Sequence, residues 1–317
     1  MKRLLWIIFA CCTFAGMAQA QQRQLSISTG GTGGVWYPMG GAMANVLSKS
    51  LPNTSATAEV TGGSIDNIKL LASGKTDLGF SMVDAAYEGI MGTGKFKEKV
   101  PMRTLAVVHP LVMHVVTAEG RGIDKMADLK GKRISTGSPG SGTEVMALRI
   151  LEASGLNPDK DVQRERLGVA EAANALKDRK IDAFMHAAGV PLPAVTDVGA
   201  SPGIRMKLID HAEAVEAMNK KYGPIYARGQ VRAKTYPGQE RDNATANVWG
   251  VLYVNEKMSE QTAYDVVKTL FEKQPDLVLA HRESENMTLH NQTIGASPVP
   301  WHPGAMKFFR EKGITPR

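Results

Sequence analysis

Two stretches of the chain place glycines and hydroxyls directly after a short apolar run: Gly30-Gly31-Thr32-Gly33-Gly34 and Gly137-Ser138-Pro139-Gly140-Ser141-Gly142-Thr143. Consecutive glycines let a turn expose backbone N–H groups at the start of a helix, where the helix dipole also favours negative charge. Each turn could hold one carboxylate, assisted by the hydroxyls of Thr32, Ser138, Ser141 and Thr143. The plainer alternative is that the glycines only make tight turns. Neither stretch is a nucleotide loop. Residues 137–144 lack the lysine of a phosphate-binding Walker loop, having Thr143 and Glu144 at its end, and Trp36 stands where a dinucleotide fingerprint needs its third glycine.

The elements that position these turns form a repeat. Leu25–Thr29 reads as a strand, and the first turn leads into a helix with apolar Trp36, Met39, Met43, Val46 and Leu47 at spacings of three and four. A short strand ending at Val60, a helix through Ile65, Ile68 and Leu71, and a strand over Thr76–Met82 follow. The same order recurs about 105 to 107 residues on: a strand at Arg133–Thr136, the second turn, a helix with Val145, Leu148 and Leu151, a helix near Glu171–Asp178, and a strand at Ile181–Met185. Ile27-Ser28-Thr29-Gly30 returns as Ile134-Ser135-Thr136-Gly137, and Lys75-x-Asp77 as Lys180-x-Asp182. Strands alternating with helices imply βαβ units and mostly parallel sheets, with ligands beyond the carboxyl ends of the strands. The expected fold is therefore α/β, with two similar lobes whose glycine-rich edges face across a cleft. The apolar run Leu105–Thr117 and the candidate return strand Val248–Val254 cross between them. That gives lobe 1 as residues 21–112 and 250–317, and lobe 2 as 113–249.

Other residues gather around the same edges. Trp36 and Tyr37 fit a cleft wall, and Trp36 fits equally the apolar face of its helix. Ser64 serves as a helix N-cap, a role compatible with pointing at ligand. His186 ends a strand on the binding edge, whereas His109, His114 and His302 read as structural. Asp77 and Asp182 read as turn residues before buried strands. Catalysis finds no local motif: there is no Gly-x-Ser-x-Gly elbow and no His-Glu-x-x-His or paired-cysteine metal spacing. We therefore expect no enzyme, no cofactor and no metal.

Composition excludes other classes. The 317 residues include 43% hydrophobic and 22% charged residues, which describes a globular chain and not a disordered one. The length exceeds what one core usually serves. Lys2 and Arg3, the apolar run Leu4–Phe14 and Ala18-Gln19-Ala20 read as a secretory signal over residues 1–20, cleaved after Ala20 and sending the protein to the periplasm. Its removal takes both cysteines (Cys11 and Cys12), so no disulfide and no thiol nucleophile is expected. The net charge of +7 is spread thinly, without the basic clusters and stacking aromatics of a nucleic-acid surface.

The motifs together resemble a known family. Ser28 to Pro38, Thr61-Gly62-Gly63-Ser64, Asp77-Leu78-Gly79-Phe80 and Gly137 to Glu144 are similar to the TAXI family, the solute receptors of tripartite ATP-independent periplasmic (TRAP) transporters. So are Ile181-Asp182-Ala183-Phe184, Ala188-Gly189-Val190-Pro191, Tyr236-Pro237-Gly238-Gln239 and Pro300 to Ala305, where Trp301 replaces an expected leucine. The resemblance implies a type II periplasmic-binding-protein fold with a hinge and an interlobe cleft. It implies capture of a small carboxylate by lobe closure, with glutamate, glutamine or a dicarboxylate such as 2-oxoglutarate as ligand. Delivery would be to a membrane permease (fused in this transporter type) driven by an ion gradient, and the receptor itself would be a monomer. By motif position the ligand-binding residues would be Gly31, Thr32, Gly33, Gly34, Trp36, Tyr37, Ser64 and Met82. In the second lobe they would be Ser138, Gly140, Ser141, Gly142, Thr143, His186, Ala187 and Gly189. An ABC-type receptor, a sensory receptor of the same fold and a secreted enzyme remain as alternatives.

Overall fold

The computed structural model describes residues 22–317, so the expected signal segment lies outside the described residues. The first repeat is β1 (Arg23–Ser28), α1 (Trp36–Ser50), β2 (Thr54–Glu59), α2 (Ser64–Ala72), β3 (Leu78–Met82) and α3 (Val83–Met91). After the long strand β4 (Met102–Ala118) comes the second: β5 (Arg133–Ser135), α4 (Gly142–Ala153), β6 (Gln163–Glu165), α5 (Val169–Lys177), β7 (Ala183–Ala188) and α6 (Pro193–Ala200). The chain continues through β8 (Met206–Leu208), α7 (Ala214–Tyr222), β9 (Ala227–Val231) and a second long strand, β10 (Asn243–Asn255). It ends with α8 (Glu260–Glu272), α9 (Gln274–Ala280) and α10 (Pro303–Glu311).

The sheet order makes the repeat visible in space. It runs β2-β1-β3-β10-β4-β7-β5-β6, so β2-β1-β3 on one side mirrors β6-β5-β7 on the other. Within each side the strands are parallel, as helix crossovers require. The centre is antiparallel: β10 pairs with β3 and β4, and β4 pairs with β7. β4 is the apolar run read from the sequence. Its residues are apolar on both faces because both are covered: Leu105, Val108, Val112 and Val116 join one core cluster, and Val107, Leu111, Met113 and Val115 the other. β4 leaves β10 for β7 at Val112, and β10 pairs with β3 through Gly250–Val254 but with β9 through Asn243–Asn247. These two strands are the covalent crossings between the sides.

The matching aspartates do matching work. The Asp77 carboxylate accepts the Ser26 N–H (2.8 Å) beside β3, and Asp182 accepts the Arg133 N–H (3.0 Å) beside β7. Each fastens the strand entering the sheet to its parallel neighbour. No helix among the described residues is long and apolar enough to cross a membrane.

Candidate functional site

Four helices begin at one cavity. Its wall includes Val35 and Trp36 at the start of α1, Gly63 and Ser64 at α2, Ser141 and Gly142 at α4, and Gly168 and Val169 at α5. Two of these helices come from each repeat, because in both repeats the first two helices follow the carboxyl ends of parallel strands. The first N–H groups of a helix have no partner within it, and each start carries partial positive charge. About 530 Å³ of space between atoms, mouth included, lies among them.

The rest of the wall is small or apolar. Of the residues expected from sequence, Gly31, Gly34, Trp36, Ser64 and Met82 line the cavity from the first repeat. Ser138, Ser141, Gly142, Thr143, His186 and Ala187 line it from the second. Thr32, Gly33, Tyr37, Gly140 and Gly189 lie outside this lining. Tyr37 faces solvent. Gly33 and Gly140 sit where the two sides touch: a Cβ on Gly33 would meet Ala170 at 3.0 Å, and one on Gly140 would run into the Asp66 carboxylate. Gly189 packs against Glu283 and His109. Sequence reading missed Gly168 and Val169, although the repeat points to them: the same offset that pairs Asp77 with Asp182 pairs Gly63 and Ser64 with Gly168 and Val169.

Most hydroxyls at the site hold the protein together. Ser141 Oγ donates to Ser138 O (2.7 Å) and caps α4 by accepting the Glu144 N–H (3.1 Å). Ser138 Oγ donates across the cleft to Gly62 O (3.1 Å). Ser64 is not the N-cap of α2. Gly63 holds that place, at φ 117°, and Ser64 Oγ instead accepts the Met82 N–H at 3.0 Å. The cleft is also bridged by the backbone: Ile65 N–H (3.0 Å) and Asp66 N–H (3.1 Å) both donate to Gly140 O. The second glycine turn thus satisfies part of α2's open start.

Trp36 has both roles the sequence left open. It lines the cavity while stacking on Phe80, with ring centroids 5.6 Å apart. Its indole N–H donates to His109 Nε2 (3.2 Å), which leaves the His109 proton on Nδ1, facing Pro110 O at 2.8 Å. His186 differs from the other histidines. Its side chain lines the cavity without a hydrogen bond to any described residue, whereas His114 Nε2 meets the Tyr236 hydroxyl at 2.7 Å. Part of the His186 ring is reachable from inside the cavity, yet the surrounding protein is that of an interior group. Burial, with His114 adjacent, pushes its pKa down to about 3, so it is neutral at pH 7. No cluster of three or more metal-ligating side chains occurs among the described residues.

Two mirrored α/β lobes joined by antiparallel crossing strands, with helix starts converging on the cleft, define the type II periplasmic-binding-protein fold. The chain belongs to the NMT1-like family, which it matches over residues 27–313. Among solved structures it is similar to a protein from Bordetella bronchiseptica RB50, with 17% identity and a TM-score of 0.54 over 90% of this chain and 88% of that one. It is similar too to Tv2483 bound to L-arginine, with 14% identity and a TM-score of 0.52 over 84% and 90% of the two chains. A putative L-cystine ABC transporter protein from Listeria monocytogenes gives 15% identity and a TM-score of 0.50 over 84% and 95%. Likeness at these identities concerns the fold.

Proposed function

We propose that the protein is a periplasmic receptor, and not an enzyme, that captures a small carboxylate between lobes formed by residues 21–112 with 250–317 and by residues 113–249. The observation that carries this reading is the convergence of four helix starts on a cavity lined by no Lys or Arg. Helix N-termini favour an anion there without a cationic side chain. Glutamate, glutamine and dicarboxylates such as 2-oxoglutarate are the first ligands to test. Delivery is to a TRAP-type permease, on the motif resemblance. Delivery to an ABC-type permease is the second reading, favoured by the Listeria ABC transporter protein among the fold relatives. Transport by the reconstituted permease under an ion gradient without ATP separates the two.

A thermal-shift screen of organic acids and amino acids tests the ligand class. A true ligand at about 100 times its Kd should stabilise the fold by about 2.7 kcal/mol, by mass action. A screen in which no carboxylate moves the melting temperature overturns the carboxylate reading.

Closure has its own test at Gly142. A Cβ there would meet Met82 Sδ and Ser64 Oγ, both at 2.6 Å, and Ser64 is held in place by the Met82 N–H. The Gly142 backbone is not in the left-handed region, so alanine is unstrained there and Gly142→Ala should keep the fold. Overpacking of this kind costs about 1–3 kcal/mol. Titration calorimetry with the ligand from the screen should therefore show affinity reduced about 10- to 100-fold. Parent-like affinity would mean that the two sides need not meet at Gly142.

A further inference from the structure

None of the acidic side chains in the first turns of the helices that open on the cavity lines it. Asp66, in the first turn of α2, lies against Gly62 and Gly140. Glu144, in the first turn of α4, pairs with Arg166 (2.7 Å), and Glu171, in that of α5, accepts the Gly168 N–H (3.1 Å). The first turn of α1 has no acid. None of the lining residues is Asp or Glu. An ammonium group placed here would meet four helix starts, of which only that of α5 carries a carboxylate, Glu171, on its opening N–H. It would find in the lining only hydroxyls, the His186 ring and backbone carbonyls as acceptors. Three N–H donors of such a group, taken out of water without a carboxylate, are costly.

From this arrangement, and resting on the proposed capture of a carboxylate, we infer that the cavity selects acids without an ammonium group (2-oxo, 2-hydroxy or plain carboxylic acids) over α-amino acids of the same skeleton. The ligand's anionic end takes the helix starts. His186, the one uncommitted imidazole of the wall, serves a neutral oxygen of the ligand, such as a keto or hydroxyl group.

Matched pairs test this by titration calorimetry: 2-oxoglutarate against L-glutamate, pyruvate against L-alanine, and 2-oxoisocaproate against L-leucine. In whichever pair binds, the oxo acid should bind at least about 30-fold more tightly. An amino acid that binds as tightly as its oxo partner, or more tightly, overturns the inference while leaving the carboxylate receptor standing. Binding by no member of any pair, nor by any other carboxylate, overturns both. A designed carboxylate gives the second measurement. Gly168 has an ordinary φ of −61°, and the nearest atom to a Cβ there is Glu171 Oε2 at 3.6 Å, so Gly168→Asp, combined with Glu171→Gln to avoid a like-charge pair, fits as an N-cap of α5. It should narrow the oxo-to-amino preference at least about tenfold, and an unchanged ratio overturns the inference.

Discussion

Lowering the pH from 7 to 5 is expected to remove about 6 kcal/mol of folding free energy, from three histidines alone. His109 and His114 are fully buried and His211 nearly so, and burial pushes the pKa of each down from 6.5 to about 4. No acid outweighs that burial, Asp210 beside His211 included. The Glu283 carboxylate nearest His109 is 3.7 Å from Nδ1 and is itself pushed up by burial. His114 is flanked by the Tyr236 hydroxyl and by the carbonyl of His186, and His211 Nε2 has no partner. Between the folded and unfolded values the unfolded chain binds more protons. Their contribution is therefore complete above pH 6.5 and is lost as pH falls through about 4. At pH 5 each ring costs about 2 kcal/mol on this linkage. Asp84 and Glu88, raised by burial, act in the opposite sense, binding protons more readily in the folded than in the unfolded chain as pH falls. Urea unfolding at pH 7, 6 and 5 reads the effect directly. Stability that changes by less than about 1 kcal/mol over that range would mean that the rings are hydrated or paired in solution.

The repeat was legible because each half obeys the same local rules. Alternating short apolar runs, glycine turns and three-and-four spacing recur at offsets of 105 to 107 residues, and the sheet order mirrors them about β4 and β10. The long apolar run was readable as a crossing element because a strand covered on both faces needs no polar alternation. What escaped was decided by contacts between the halves. Nothing local separates Gly31, which lines the cavity, from Gly33, which abuts Ala170. Ser64 looks like an N-cap by type, but its oxygen is taken by Met82 N–H from the next strand, and Gly63 supplies the turn instead. Gly168 could have been found by carrying the repeat offset one element further. Asp77 and Asp182 show the converse: their correspondence was visible in sequence, while the backbone N–H each receives is visible only in the folded chain.

Arg149 was the least legible of all, because its partners lie 61 to 77 residues away and are brought to it only by the docking of α4 on α3 and α7. It sits mid-helix among apolar neighbours, and its guanidinium is buried against Asp84 (3.6 Å), Glu88 and the Tyr226 hydroxyl (2.7 Å). Tyr226 in turn donates to Asp84 at 2.7 Å, and the guanidinium lies 4.1 Å over the ring of Tyr222. Asp84 is fully buried, and desolvation raises its pKa against the opposing pull of Arg149. Removing the cation while keeping its apolar stem, as in Arg149→Met, should therefore destabilise the protein by about 3–5 kcal/mol, the usual cost of leaving a buried charge unpaired. The gain from forming the pair is smaller, since both groups were desolvated to make it. Neutralising the orphan should then restore part of the loss: Arg149→Met with Asp84→Asn is expected to recover at least about 1 kcal/mol, because an asparagine oxygen still accepts from Tyr226. Chemical denaturation of the parent, both single variants and the double variant gives the coupling. If the loss in Arg149→Met stays below about 1 kcal/mol, or the two substitutions simply add, then Asp84 does not depend on Arg149 and the two halves are held at α3 and α4 by apolar packing.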